Sequence, residues 1–171
     1  YRRYLSFSAR HFKTDEHNMI YVPALTPRAK DKYGFTNDSA MERMILNHDL
    51  ITAEPAPVAH IPTAHGKQTT VRELWDAYVG IFFKQSIVDF VLQLIDRFAP
   101  QYSGSAEAYF SGTLHRGFNC YVMRKELFYR LCSFQFPIMF EAEQLLDTSG
   151  YTQTMMRTPA FIGEMLYGIF I

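Results

Sequence analysis

Three sets of residues in this chain have types and spacing suited to chemistry. At its start, Tyr1-Arg2-Arg3-Tyr4-Leu5-Ser6-Phe7 sets two adjacent arginines among aromatics. A guanidinium keeps its charge near neutral pH and presents a fork of donors matched to phosphate oxygens, whereas a lysine is a solvated point charge. Arg2 and Arg3 can therefore grip a diphosphate, or they can sit in solvent as a basic surface pair, and on their own they leave both readings open. Further along, His115 and Asn119 are polar groups in the otherwise apolar segment 114–123. Such groups either find hydrogen bonds inside the fold or line a site. Glu164 is the one carboxylate in Phe161-Ile162-Gly163-Glu164-Met165-Leu166-Tyr167, and a carboxylate carried into an apolar helix must be paired or functional.

The other candidate constellations are weaker. Thr14-Asp15-Glu16-His17 lie side by side rather than at turn or helix spacing, which suits a polar turn better than a metal. His48-Asp49, His60 and His65 show no helical ligand spacing and read as solvated loop residues. Glu141 and Glu143 are two apart, so a helix cannot put both carboxylates on one face. Cys120 and Cys132 fit neither a zinc knuckle nor a disulfide scaffold, and a reducing compartment is the default expectation. No Asp-x-Asp occurs anywhere.

The elements that must position these groups follow from composition and period. With 171 residues the chain suits a single domain, 1–171, with a sizeable core, and 15 Phe with 11 Tyr argue for a large core or aromatic-lined grooves. Seventeen Lys+Arg balance 17 Asp+Glu, so no net field recruits nucleic acid or anionic lipid. No apolar run approaches the roughly 18 residues of a membrane span, and no signal peptide is seen. The chain opens on Tyr rather than Met, and we read it as a fragment.

Residues 7–37 mix Pro23, Pro27, Gly34 and charges without a period and read as a long loop or an ordered excursion over the surface. Ser39-Ala40-Met41-Glu42 is a capping box for a short helix ending near Asn47, and Leu50-Ile51-Thr52-Ala53 reads as a brief buried strand. Thr70-Val71-Arg72-Glu73 caps a second helix with Leu74, Trp75, Tyr78, Ile81 and Phe82 on its apolar face. Residues 86–98 repeat the pattern until Pro100, and a third helix carries Glu107, Tyr109 and Phe110 before Gly112. Residues 114–123 read as one strand feeding a helix at Arg124-Lys125-Glu126, the kind of junction where open α/β folds place ligands. That helix meets Pro137, where a bend is expected, and a last one opens after Arg157-Thr158-Pro159.

Four of these stretches, in order and spacing, resemble the successive motifs of one bacterial family. They are Tyr1-Arg2-Arg3-Tyr4; Phe118-Asn119-Cys120-Tyr121-Val122-Met123-Arg124-Lys125-Glu126; Phe136-Pro137-Ile138-Met139-Phe140-Glu141; and Arg157 with Phe161-Ile162-Gly163-Glu164-Met165-Leu166. The family is domain of unknown function 4422, proposed glycosyltransferases of capsule, lipopolysaccharide and exopolysaccharide gene clusters. The resemblance implies an α/β, GT-A-like nucleotide-diphospho-sugar transferase domain. This chain would hold its helix-rich later part, with the N-terminal strands and a His before Tyr1 lying upstream.

Arg2 and Arg3 would stand where many relatives carry Asp-x-Asp, doing with fixed charge what a divalent metal does elsewhere. A metal cofactor is left open, with no ligand set assigned. Two departures stand out. The family's His in the helix here spanning 78–82 is replaced by Phe82 or a neighbour, and its closing Glu-Arg-Leu is Glu164-Met165-Leu166 here. The first weakens any acceptor contact from that helix; the second keeps the carboxylate.

The activity so implied is transfer of a sugar from a nucleoside-diphosphate sugar, a uridine one by preference, to a hydroxyl of a glycan acceptor. Arg2 and Arg3 would bind the donor diphosphate, while Tyr1, His115, Asn119 and Arg157 would shape the sugar or acceptor pocket. Glu164 would be the base, with Glu141 second. The place would be the cytoplasm or the inner face of the membrane. A different class also fits the resemblance: a non-catalytic glycan-binding or scaffold domain with a degenerate transferase fold.

Overall fold

Thr70 shows how local sequence sets this architecture. Its hydroxyl accepts from the Glu73 amide at 3.2 Å, and Glu73 Oε2 accepts from the amides of Thr69 and Thr70 at 2.7 and 3.2 Å. This reciprocal capping box satisfies helix-start donors and opens α1 (Val71–Tyr78), which buries Val71, Leu74 and Trp75. Ser86 caps α2 (Ile87–Phe98) by accepting from the Asp89 amide at 3.2 Å, and its hydroxyl donates to Asp76 of α1 at 2.7 Å. Pro100 closes α2 as expected, and a single turn, Pro100–Tyr102, leads into α3 (Ser103–Ser111). The remaining helices are α4 (Lys125–Leu145) and α5 (Thr158–Phe170).

The computed structural model describes residues 13–14, 19–21, 47–52, 54–79, 86–116, 121–152 and 155–171. Among them the fold is α/β and helix-rich, with six short strands: β1 (Lys13–Thr14), β2 (Met19–Tyr21), β3 (Leu50–Thr52), β4 (Ala56–Pro57), β5 (Leu114–His115) and β6 (Tyr121–Arg124). Contacts divide the chain into two compact units, one of residues 1–53 with 120–132 and one of residues 54–119 with 133–171.

The first unit holds an antiparallel sheet in the order β1-β2-β6-β3. Its register pairs Met19 with Arg124 and Leu50 with Met123. Arg124 is further held by an ion pair to Asp49, and its amide donates to the Asp49 carbonyl at 3.0 Å. In the second unit β4 pairs antiparallel with β5, Ala56 facing His115, and the helical core lies around Ile95, Phe110, Ile162 and Leu166.

Three expectations are corrected. Residues 114–123 are not one strand: β5 and β6 belong to different sheets, because β5 pairs with the neighbouring β4 while β6 joins β2 and β3. Of the two readings of 7–37, the loop is corrected: the stretch contains β1 and β2, whose lengths of two and three residues are too short to show a period. The strand at Leu50 is half-buried to exposed rather than buried. The capping box at Ser39, together with Ile81 and Phe82, lies outside the described residues. α4 runs through Pro137 as one helix.

Candidate functional site

Arg157, Phe161, Glu164 and Gly168 follow one another at steps of four, three and four, which places them on one face of α5 and the turn before it. Pro159 in the first turn starts the helix where its missing N–H costs nothing, and the Thr158 hydroxyl donates to the Met155 carbonyl at 2.7 Å. From that face the contacts form a chain. The Arg157 guanidinium lies 5.2 Å from the centre of the Phe161 ring, and Phe161 lies 6.1 Å from Trp75 and 5.9 Å from Tyr78. Trp75 meets the His115 ring edge to face at 5.4 Å.

His115 is 4% exposed, and its Nδ1 lies 3.1 Å from the Tyr109 hydroxyl, which also donates to the Arg116 carbonyl at 2.9 Å. The Arg116 guanidinium covers the Tyr109 ring at 5.4 Å. Gly168 closes the junction from α5: a Cβ there would stand 2.3 Å from the Arg116 carbonyl oxygen and 2.5 Å from the Tyr109 hydroxyl. Only a glycine lets the helix come this near.

Burial governs the protonation of the whole group. It pushes the His115 imidazole down to about 4, so the ring is neutral at physiological pH. It pushes the Tyr109 hydroxyl up to about 12; Trp75 and Arg116 act against that shift, and the charge of Glu164 adds to it. Glu164 itself is raised above the usual carboxylate range, again by burial, with the Arg157 charge opposing. The Trp75 indole N–H is fully buried without a hydrogen-bond acceptor; the Tyr109 hydroxyl is close enough to feel it but not in bonding geometry. Among the described residues the Glu164 carboxylate has no hydrogen bond or ion pair. A half-buried carboxylate with raised proton affinity, a neutral imidazole and an exposed guanidinium can accept a proton from a hydroxyl and hold polar ligand groups beside it.

The second unit therefore brings together His115, Arg157 and Glu164 of the expected residues. Tyr1, Arg2, Arg3 and Asn119 lie outside the described residues, as do Asp15, Glu16 and His17. Glu141, the second candidate base, is engaged by Arg97 at 2.8 Å. Among the described residues no three His, Cys, Asp or Glu side chains group as metal ligands, and no helix is long and apolar enough to cross a membrane. Cys132 is half-buried, its thiol pushed up to about 11, which leaves it a poor nucleophile. Sequence reasoning missed Tyr109, Trp75, Arg116 and Gly168. The two aromatics carried the periodicity of plain core, and the glycine's role exists only once three elements meet.

This arrangement sits in a fold that is already known. No curated protein matches the chain. Among solved structures, the apo structure of the WbbM bifunctional glycosyltransferase superposes with a TM-score of 0.69 at 17% identity, covering 93% of this chain and 26% of that one. The chain thus spans about a quarter of that protein's length, and the likeness shows that the two share a fold. The family model described as domain of unknown function (DUF4422) matches residues 1–171, the full run over which the motifs were read, and the chain belongs to that family.

Proposed function

We propose that the protein is a glycosyltransferase, moving a sugar from a nucleoside-diphosphate sugar, by preference a uridine one, to a hydroxyl of a surface polysaccharide or lipopolysaccharide acceptor. The chain is read as one transferase domain, 1–171, working on the cytoplasmic side of the membrane. The observation that carries this reading is Glu164: a half-buried carboxylate with raised proton affinity and no ion pair among the described residues, within electrostatic reach of Arg157 and of Tyr109, which contacts His115. A carboxylate so raised is a stronger base toward an alcohol than a solvated one, which is what deprotonation of an acceptor hydroxyl needs.

In this reading Glu164 takes the acceptor proton. His115 and Arg157, with Tyr1 and Asn119, hold the sugar and acceptor hydroxyls. Arg2 and Arg3 neutralise charge on the departing diphosphate, which lowers the barrier to breaking the anomeric bond. Membership of the family and the shared fold support the assignment.

The test is nucleotide binding and sugar transfer by the purified protein. Uridine diphosphate at about 100 times its Kd should stabilise the wild type by about 2.7 kcal/mol, read as a rise in Tm. Arg2→Ala with Arg3→Ala should abolish the shift. Glu164→Gln should keep the shift and lose roughly 100-fold or more in kcat. Stabilisation by an acceptor glycan but by no nucleoside diphosphate would replace the transferase with the glycan-binding reading.

A further inference from the structure

The apolar stripe of α1 runs through Val71, Leu74 and Trp75, all buried, and comes to the surface at the last residue of the helix, Tyr78, which is 50% exposed. Part of that side chain is held: its ring meets Phe161 of α5 nearly at right angles, with 81° between the planes. The rest faces solvent, and the Tyr78 hydroxyl makes no hydrogen bond among the described residues. Tyr129 and Phe140, the other exposed rings among these residues, lie against Phe128 and Phe136 of their own helix. Tyr78 instead rests on the face of α5 that carries Glu164 and Arg157, each within about one turn of Phe161. We propose that Tyr78 is a sugar-stacking residue: its exposed ring seats the C–H face of a pyranose whose hydroxyls reach the Glu164 carboxylate and the Arg157 guanidinium. Only the use of Glu164 as a base toward such a hydroxyl rests on the transferase reading; the seat itself serves a glycan-binding domain equally.

A pyranose is the occupant that matches both kinds of group. One side of the ring presents C–H bonds that gain by leaving water for an aromatic surface, and its rim carries hydroxyls that donate to a carboxylate and accept from a guanidinium. An aromatic alone would serve a nucleobase as well, since every base has a π-face. The carboxylate decides between them: a nucleoside diphosphate brings negative charge toward Glu164, and a neutral sugar ring brings none. The seat is also set before any ligand arrives. Phe161 is 7% exposed and is held by contacts with Trp75, Tyr78 and Arg157, so it gives Tyr78 a fixed backing. A tyrosine has few side-chain torsions to freeze, so covering it costs little entropy.

Trp75 is the only tryptophan of the chain and touches Phe161, so its fluorescence reports on this site in the full chain. The methyl pyranosides of glucose, galactose, mannose and N-acetylglucosamine, titrated in without nucleotide, should include one that gives a saturable change at millimolar concentration. Magnetisation placed on the protein's aromatic protons should pass to the C–H protons of that pyranoside, and its failure to do so overturns the proposal without recourse to any variant. Tyr78→Phe keeps the ring and should bind as the wild type does. Tyr78→Leu keeps an apolar contact for Phe161 without the flat ring, and should weaken binding about tenfold, the scale of one aromatic contact. No saturable response to any of the pyranosides, equal affinity in Tyr78→Leu, or equal loss in both variants overturns the proposal. So does a loss in Tyr78→Leu confined to uridine diphosphate, which would make the seat one for a base. In sugar transfer to the bound pyranoside, Tyr78→Leu should raise KM for that acceptor and leave KM for the donor unchanged, and an unmoved acceptor KM sinks the seat. A wild type that binds the pyranoside but transfers no sugar sinks the transferase reading instead and leaves the seat standing.

Discussion

On the face of α5 turned to α4, Phe170 lies 6.4 Å from Phe134 and 6.3 Å from Tyr102, and those two rings stack at 4.1 Å. The same face presents Gly163, whose carbonyl accepts from Gln135 at 3.0 Å. This is ordinary packing, apolar rings in contact and a polar group matched. The face turned to α1, α3 and β5 carries Arg157, Phe161, Glu164 and Gly168, and it meets a buried imidazole, a buried hydroxyl and an indole N–H with no acceptor. One helix thus separates a side built for cohesion from a side that keeps costly polar groups under cover. Stability alone does not explain the second side, since apolar residues would fill it at lower cost.

Acid should expose the contrast most strongly. In the unfolded chain the His115 ring takes its proton near 6.5, and in the folded protein only near 4. Between those values the unfolded state binds more protons, so stability rises with pH: the contribution is complete above about 6.5 and lost as the pH falls through to about 4. The loss is on the order of 3 kcal/mol. Denaturant titrations across that range should show it, and His115→Gln should flatten this part of the profile. An unchanged slope in the variant would mean that the acid sensitivity arises elsewhere.

The two glycines of α5 separate the faces by size. A Cβ at Gly168 collides with backbone and a hydroxyl that has nowhere to go, whereas at Gly163 it meets only the Met139 methyl at 4.0 Å. Gly168→Ala should therefore cost about 1–3 kcal/mol through overpacking. Gly163→Ala should be neutral or gain up to about 1 kcal/mol from helix propensity. Paired thermal melts check both, and equal costs at the two positions would erase the distinction between the faces.

Much of the frame could be read from the chain because its signals are local. The capping box at Thr70, the stop at Pro100, the helix ending before Gly112 and the start at Pro159 all depend on residues within a turn or two. Strand pairing depends on distant partners, which is why residues 114–123 read as one strand although Leu114 and His115 face Pro57 and Ala56 while Tyr121 faces Thr52. The site divides in the same way. His115 and Glu164 stood out as polar among apolar neighbours. Tyr109 and Trp75 did not, because an aromatic on a helical stripe looks alike whether its polar edge is used or merely buried.

The smallest expected effect concerns Glu164, and its sign is the informative part. Burial raises this carboxyl, so above the ordinary carboxylate value of 4.5 the folded state holds the proton more tightly than the unfolded chain, and stability falls as the pH rises through that window. At neutral pH the ionised Glu164 is therefore a net cost that the Arg157 charge only partly offsets. Glu164→Gln keeps the shape and removes the charge, and it should raise stability at pH 7 by on the order of 1 kcal/mol, the scale of single stabilising substitutions. Glu141→Gln makes the same chemical change at a carboxylate already held by Arg97, and should give no gain. A protein that becomes more stable when Glu164 is neutralised, yet stops transferring sugar, has kept a destabilising charge for its reaction. A protein destabilised by the same change has been using that charge as ordinary structure.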